Sequence, residues 1–210
     1  MNVRSATRVP APPTIRELLR DGTRVHHARA EARLPLTDDA LTLDGYRETL
    51  ARLLGFYDPL EERLAGADWR RIGLDPERRR KSQLLVADLQ ALGLAPARIA
   101  ALPRCADLPD AGSLAGALGC LYVVEGATLG GQLVRRHVAG RLGLGARDGC
   151  AFFTSYGAAV GPMWREYQDR LAIVVDEGEA AADDVVNAAR QTFDALTRWL
   201  DSMEPAAGAA

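Results

Sequence analysis

Three glycines fall within six residues of an otherwise apolar stretch, Leu121-Tyr122-Val123-Val124-Glu125-Gly126-Ala127-Thr128-Leu129-Gly130-Gly131-Gln132. Leu121, Tyr122 and Val123 before the glycines, and Val134 and Val138 after them, continue the spacing of a buried helix. Each glycine should cost such a helix about 1 kcal/mol against alanine. A helix that bears this cost brings its backbone against something flat and bulky, packs on another helix through small residues, or bends. The segment is not a phosphate-binding loop: no Lys-Ser/Thr follows and no strand precedes it.

The rest of the chain also reads as helical. Thr14-Ile15-Arg16-Glu17 is a capping box that starts a helix running to about Arg33, ahead of Pro35. A second helix is expected over 43–65, with Tyr46, Leu50, Leu53, Leu54, Tyr57, Leu60 and Leu64 spaced by three and four. Pro59 lacks an N–H, which predicts a kink or a restart there with Asp58 as cap. A third helix is expected from Arg78 to Leu92, and a short one from Pro96 inside the connector 93–112. The glycine-interrupted helix should span Leu114 to Leu142, and further helices 151–175 and 183–203. Residues 1–13 and 204–210 read as a disordered lead and tail. The expected fold is an all-α single domain over 14–203, with six to eight helices.

Composition narrows the function classes. A net charge of −2 over 210 residues gives no global basic signal for nucleic acid. Cys105, Cys120 and Cys150 are isolated, so neither a disulfide framework nor a cysteine metal site is expected, and a reducing compartment suits them. The N-terminus has no apolar core of a signal peptide, and no uninterrupted apolar run approaches about 18 residues. A soluble, cytoplasmic protein without a membrane partner is the expectation. Lys81 is the sole lysine and ends the run Arg78-Arg79-Arg80-Lys81. That run reads as a solvated helix face, or as a docking patch for an acidic electron-transfer partner.

Only three histidines exist, His26, His27 and His137. Neighbouring helix positions lie about 100° apart, so His26 and His27 cannot share a pocket. The stripe Arg20, Thr23, His27, Glu31 places a carboxylate one turn after His27, where it can orient an imidazole ligand. The stripe Leu19, Gly22, His26, Ala30 is partly apolar, so pattern alone leaves both histidines open. No Glu-x-x-His pair for a di-iron centre is present, and spacing gives no zinc set. A single protein ligand suits haem, whose macrocycle supplies the equatorial donors. A flat macrocycle between two helices would need one helix to give the ligand and the other to approach without side-chain bulk, as Gly126, Gly130 and Gly131 permit. Arg20, Arg135, Arg136, Arg165 and Arg170 are candidate propionate partners.

Two of these stretches resemble the haem oxygenase family, particularly its bacterial phytochrome-associated branch. Leu19 to Glu31 is similar to the family's proximal helix, with Thr four residues before the axial His and Ala-Glu three and four after it. Tyr122 to Gln132 is similar to the distal Glu-Gly-Ser-x-Leu-Gly-Gly pattern of the bacterial members. The resemblance implies a helical bundle with haem between a proximal and a kinked distal helix, and selects His27 as iron ligand. It further implies Gly126 and Gly130 as close-approach glycines, with Gly131 and Tyr122 beside the haem and Arg20 and Arg165 toward its propionates. Tyr57 matches a distal-network tyrosine, and Phe152, Phe153 and Tyr156 resemble pocket-wall residues. Animal members carry Asp where this chain has Ala127, which leaves Thr128, Tyr57 or backbone-held waters to orient the oxygen chemistry. The implied reaction cleaves haem to biliverdin, CO and ferrous iron with O2 and electrons from a reductase or ferredoxin, the product passing to a phytochrome. A haem-binding or haem-transfer protein on the same fold is the alternative.

Overall fold

The computed structural model describes residues 12–202, and the expected disordered lead and tail lie outside them except for positions 12 and 13. Among the described residues there are nine α-helices and no strand. In chain order they are α1 (Ile15–Glu31), α2 (Leu43–Ala65), α3 (Trp69–Ile72), α4 (Ser82–Ala91), α5 (Pro96–Ala100), α6 (Leu114–Leu142), α7 (Ala151–Thr154), α8 (Val160–Asp176) and α9 (Ala182–Ser202).

The organiser is α9. It packs against both α1 and α6, which make little direct backbone contact with one another. Glycines set these approaches. A methyl group on Gly22 of α1 would stand 2.8 Å from Val186, and one on Gly119 of α6 would stand 2.5 Å from Ala188 and 2.6 Å from the Val185 carbonyl oxygen. Polar ties hold α1 in place: Arg190 Nε donates to the Gly22 carbonyl at 2.8 Å and Arg33 pairs with Asp201 at 2.9 Å. The capping box at Thr14 and Glu17 is complete. One apolar core runs through α1, α2, α4, α6, α8 and α9.

Three sequence expectations change. First, α2 passes through Pro59 without a break, and Asp58 does not cap a new helix but accepts from Arg104 at 2.8 Å. The carbonyl left without a helical partner by Pro59 is that of Gly55, four residues earlier, and the Cys105 N–H donates to it at 2.8 Å. Second, the expected helix 78–92 splits. Glu77–Arg79 is a 3-10 turn, Arg80 is extended with ψ 134°, and α4 starts only at Ser82. Third, the helix expected over 151–175 is two helices, because Ser155 adopts φ 47° and Gly157 φ 57° between them. Pro162 falls in the first turn of α8, where its missing N–H leaves no bond unmade.

By contrast α6 runs unbroken through all its glycines. It is also the one described helix long and apolar enough to cross a membrane by composition, but 61% of that window is buried inside the protein, as befits a core helix.

Candidate functional site

On α1, the two histidines separate cleanly. His26 is half-buried, its Nδ1 2.7 Å from Asp194 Oδ1 of α9. His27 projects outward with its side chain 53% exposed, and its ring rests on Phe193 of α9 at 5.2 Å between centroids. Its Nε2 lies 3.3 Å from Glu31 Oε1. Both side chains are more than half exposed, so this is a screened surface contact of small worth that a stronger ligand can displace. Of the two, His27 is the imidazole free to meet a guest.

On α6, the glycines divide by face. A methyl on Gly130 would meet nothing within 4 Å, while one on Gly126 would only graze Trp164 of α8 at 3.8 Å. Gly131 points the other way, where a methyl would stand 3.3 Å from the Phe153 carbonyl oxygen, so its lack of bulk serves packing against α7. Leu129 and Leu133 flank Gly130 and are large apolar side chains 44% and 57% exposed. An open glycine surrounded by unpartnered leucines is an apolar cradle, the surface that a flat hydrophobic macrocycle would cover. The donor set fits haem as well: one exposed imidazole on α1, and a bulk-free backbone on α6, both carried by α9. A cavity of about 460 Å³ opens elsewhere, at the start of α1 and α9, and is lined by Glu17, Asp21, Gly22, Asp183 and Arg190 among others.

The other predicted site residues fall as follows. Tyr122 packs on Trp164 with ring centroids 5.6 Å apart and planes tilted by 48°, and burial pushes its phenol up, partly offset by Thr23 beside it. Tyr57 is buried edge-on against Phe152 at 5.2 Å, and burial together with Glu61 and Glu125 raises its phenol. Phe153 is buried between Phe152 and Tyr46. Thr128 is buried, and its hydroxyl donates back to the Glu125 carbonyl at 2.7 Å rather than into open space. Ala127 is exposed. Among the arginines, Arg20 is exposed and pairs with Asp21 at 2.9 Å, Arg170 packs over Gly73, Arg135 is half-buried, and Arg136 and Arg165 are exposed. The three cysteines are buried free thiols, and no metal-holding cluster of His, Cys, Asp and Glu occurs among the described residues.

The basic run corrects an expectation. Arg79 and Lys81 are not solvated: they are 3% and 2% exposed, and both reach Glu125, which is fully buried one residue before Gly126. Lys81 Nζ donates to Glu125 Oε1 at 2.6 Å, to the Arg79 carbonyl at 2.7 Å and to the Tyr156 hydroxyl at 2.8 Å. Tyr156 in turn donates to Glu125 Oε1 at 2.8 Å, and Arg79 binds Glu125 Oε2 and, at 2.8 Å, Glu166. Burial pulls the Lys81 ammonium down, while the Glu125 carboxylate pushes back. The sequence hint was Glu125 itself, a lone acid inside an apolar helical run, whose burial demands cations from elsewhere.

Known proteins share this fold. The structure is similar to the NO- and CO-bound heme oxygenase of Neisseria meningitidis, with TM-score 0.72 and 19% identity over 91% of this chain and 92% of that one. It is likewise similar to the heme oxygenase of Leptospira interrogans, with TM-score 0.68 and 18% identity over 91% and 100% of the two chains. Heme oxygenase-1 of the cyanobacterium Synechocystis, solved in complex with heme, gives TM-score 0.68 and 18% identity over 91% and 93%. At these identities the likeness establishes a shared fold. No curated protein sequence matches the chain. The profile of the family described as heme oxygenase matches residues 14–202, and on that match the chain belongs to the heme oxygenase family of haem-degrading oxidoreductases.

Proposed function

We propose that the protein binds haem between α1 and α6, with His27 as iron ligand, and cleaves it to biliverdin, CO and ferrous iron. Two observations carry this reading: an exposed imidazole on α1 seated on Phe193 of α9, and an open glycine face at Gly130 of α6, a helix that also packs on α9. Haem, once bound, supplies the iron that takes up O2 and the ring carbon that is oxidised. The protein's part is positional. His27 would hold the iron, with Glu31 close enough to orient the ring. Gly126 and Gly130 let the α6 backbone close over the opposite side, while Leu129 and Leu133 keep water from the ring edge. Exposed Arg136 and Arg165 would be able to turn toward propionates, as would Arg20 on giving up its exposed pair with Asp21. Electrons come from a reductase or ferredoxin. The Glu-Gly-x-x-Leu-Gly-Gly likeness favours a phytochrome as acceptor of the product, in the cytoplasm.

One observation favours the second reading, a haem-binding or haem-transfer protein. Ala127 offers no acid, and the Thr128 hydroxyl is committed to the helix backbone. A single experiment separates the two: the haem complex is given reductant and O2, and release of iron with a linear tetrapyrrole supports the enzyme. In the same titrations His27→Ala should abolish axial ligation and turnover, while His26→Ala keeps both. Ligation lost in the His26 variant and kept in the His27 variant would overturn the assignment.

A further inference from the structure

We propose that Glu125 is a positioning residue for the distal helix: its carboxylate, clamped by Arg79, Lys81 and Tyr156, sets where the Gly126–Gly130 face stands over a bound haem. This rests on the haem-binding reading above. Glu125 and Gly130 are five positions apart on α6, which places them on roughly opposite sides of the helix. The clamp thus grips the back of the helix whose front is the open cradle.

Stability alone does not account for such a cluster. Burying a carboxylate between two cations carries a desolvation penalty of several kcal/mol per ion, and apolar side chains of similar volume often do as well or better. What ion pairs add is direction. Both Glu125 oxygens are filled from fixed angles, by Lys81 and Tyr156 on one and Arg79 on the other. An apolar contact would let the helix slide along its axis or roll.

The donors are themselves anchored. Glu61 of α2 accepts from the Lys81 N–H at 2.6 Å and the Ser82 N–H at 3.1 Å, and Arg79 also donates to the Met163 carbonyl of α8 at 3.2 Å. Tyr156 is held by the turn before it. Ser155 is the one described non-glycine residue with positive φ, and its buried hydroxyl has no partner. Strain of this kind persists where the surroundings over-determine it. Helix α7, which leads into this turn, touches α6 a second time, because the Phe153 carbonyl accepts from Gln132 Nε2 at 3.4 Å beside Gly131. The helix is therefore pinned at 125 and again at 131–132, on either side of Gly130. With alanine at 127, backbone position is the main means this chain has of shaping the space above the iron.

The test uses the full chain reconstituted with haem, comparing wild type with Tyr156→Phe and with the double variant Lys81→Met/Glu125→Met. The double variant replaces the Lys81–Glu125 ion pair with apolar volume, and Tyr156→Phe removes two hydrogen bonds, to Lys81 and Glu125, from a partly exposed residue; the milder change guards against loss of fold in the other. Circular dichroism reports folding and the Soret band reports axial ligation by His27. The readouts are the C–O infrared stretch of the ferrous CO complex and the ratio of ring-opened isomers. The proposal expects folded, ligated variants whose C–O band shifts or splits and whose isomer ratio departs from wild type. A wild-type band and isomer ratio in folded, haem-bound variants would overturn it and leave the cluster a structural element only. Failure of the wild type to bind haem would sink the haem reading and this proposal together, a result readily told apart from the former.

Discussion

Alanine at Gly130 should act in opposite directions on the free and the haem-bound protein. In the free protein the position is mid-helix and exposed, and a methyl there meets nothing within 4 Å. The substitution then gains the helix-propensity difference, about 0.5–1 kcal/mol, with no overpacking to offset it. For a domain of this size each kcal/mol moves Tm by about 2–4 °C, so the free variant should melt roughly 1–4 °C higher. Gly119 is the internal control, because the same methyl would stand 2.5 Å from Ala188 and 2.7 Å from the Ala189 nitrogen. Overpacking of about 1–3 kcal/mol then outweighs the propensity gain, and the Gly119→Ala protein should melt lower. On the proposed haem-binding reading the order should change for Gly130 once haem is present, since the methyl would fill the clearance over the macrocycle. Each tenfold loss of affinity removes about 1.4 kcal/mol of ligand-conferred stability at saturating haem. The assay is thermal unfolding with and without stoichiometric excess of haem. A lower Tm for free Gly130→Ala would mean that the face is covered by the protein itself. An unchanged haem-conferred increment would mean that it does not face the guest.

Two further outcomes follow from the core. Burial pushes the Cys120 thiol from 9.0 up to about 11. The folded state therefore holds this proton longer than the unfolded chain, so stability is unaffected below pH 9 and falls by roughly 2–3 kcal/mol between pH 9 and 11. Urea midpoints for wild type and Cys120→Ala should diverge in slope over that window, and parallel curves would refute the assignment. Pro59→Ala should change stability by less than about 1 kcal/mol, well under the ~3 kcal/mol usual for proline inside a helix. The reason is that the Gly55 carbonyl is already bonded to Cys105; a gain near 3 kcal/mol in urea unfolding would show that α2 is strained there after all.

Much of this fold could be read from period and punctuation. The Thr14 capping box, the bounds of α6 and the start of α5 at Pro96 are local features, and local chemistry decides them. Pattern and spacing leave His26 and His27 open, and only the resemblance of Leu19 to Glu31 to a proximal helix prefers His27. What no local pattern shows is that Asp194, 168 residues away, engages His26, while His27 stays more than half exposed. The same distance effect hid the Arg79 and Lys81 cluster: a run of four cations looks solvated until the acid that buries two of them is known to sit on α6. Pro59 misled for a related reason, since its compensating donor comes from a connector 46 residues downstream of it. The glycines were half legible. Their spacing marked α6 as unusual, but only the fold shows that Gly119 and Gly131 serve contacts within the protein while Gly130 faces outward.

The burial of Lys81 makes an unplanned reporter. It is the only lysine in the chain, so a lysine-specific protease has one internal bond to cut, and that bond lies where Glu61, Glu125 and Tyr156 converge. Cleavage there requires the 77–81 segment to leave its contacts with Glu61 of α2, Glu125 of α6 and Tyr156. The rate of a single proteolytic cut thus counts how often the ionic centre releases the segment that carries its lysine, with no label added.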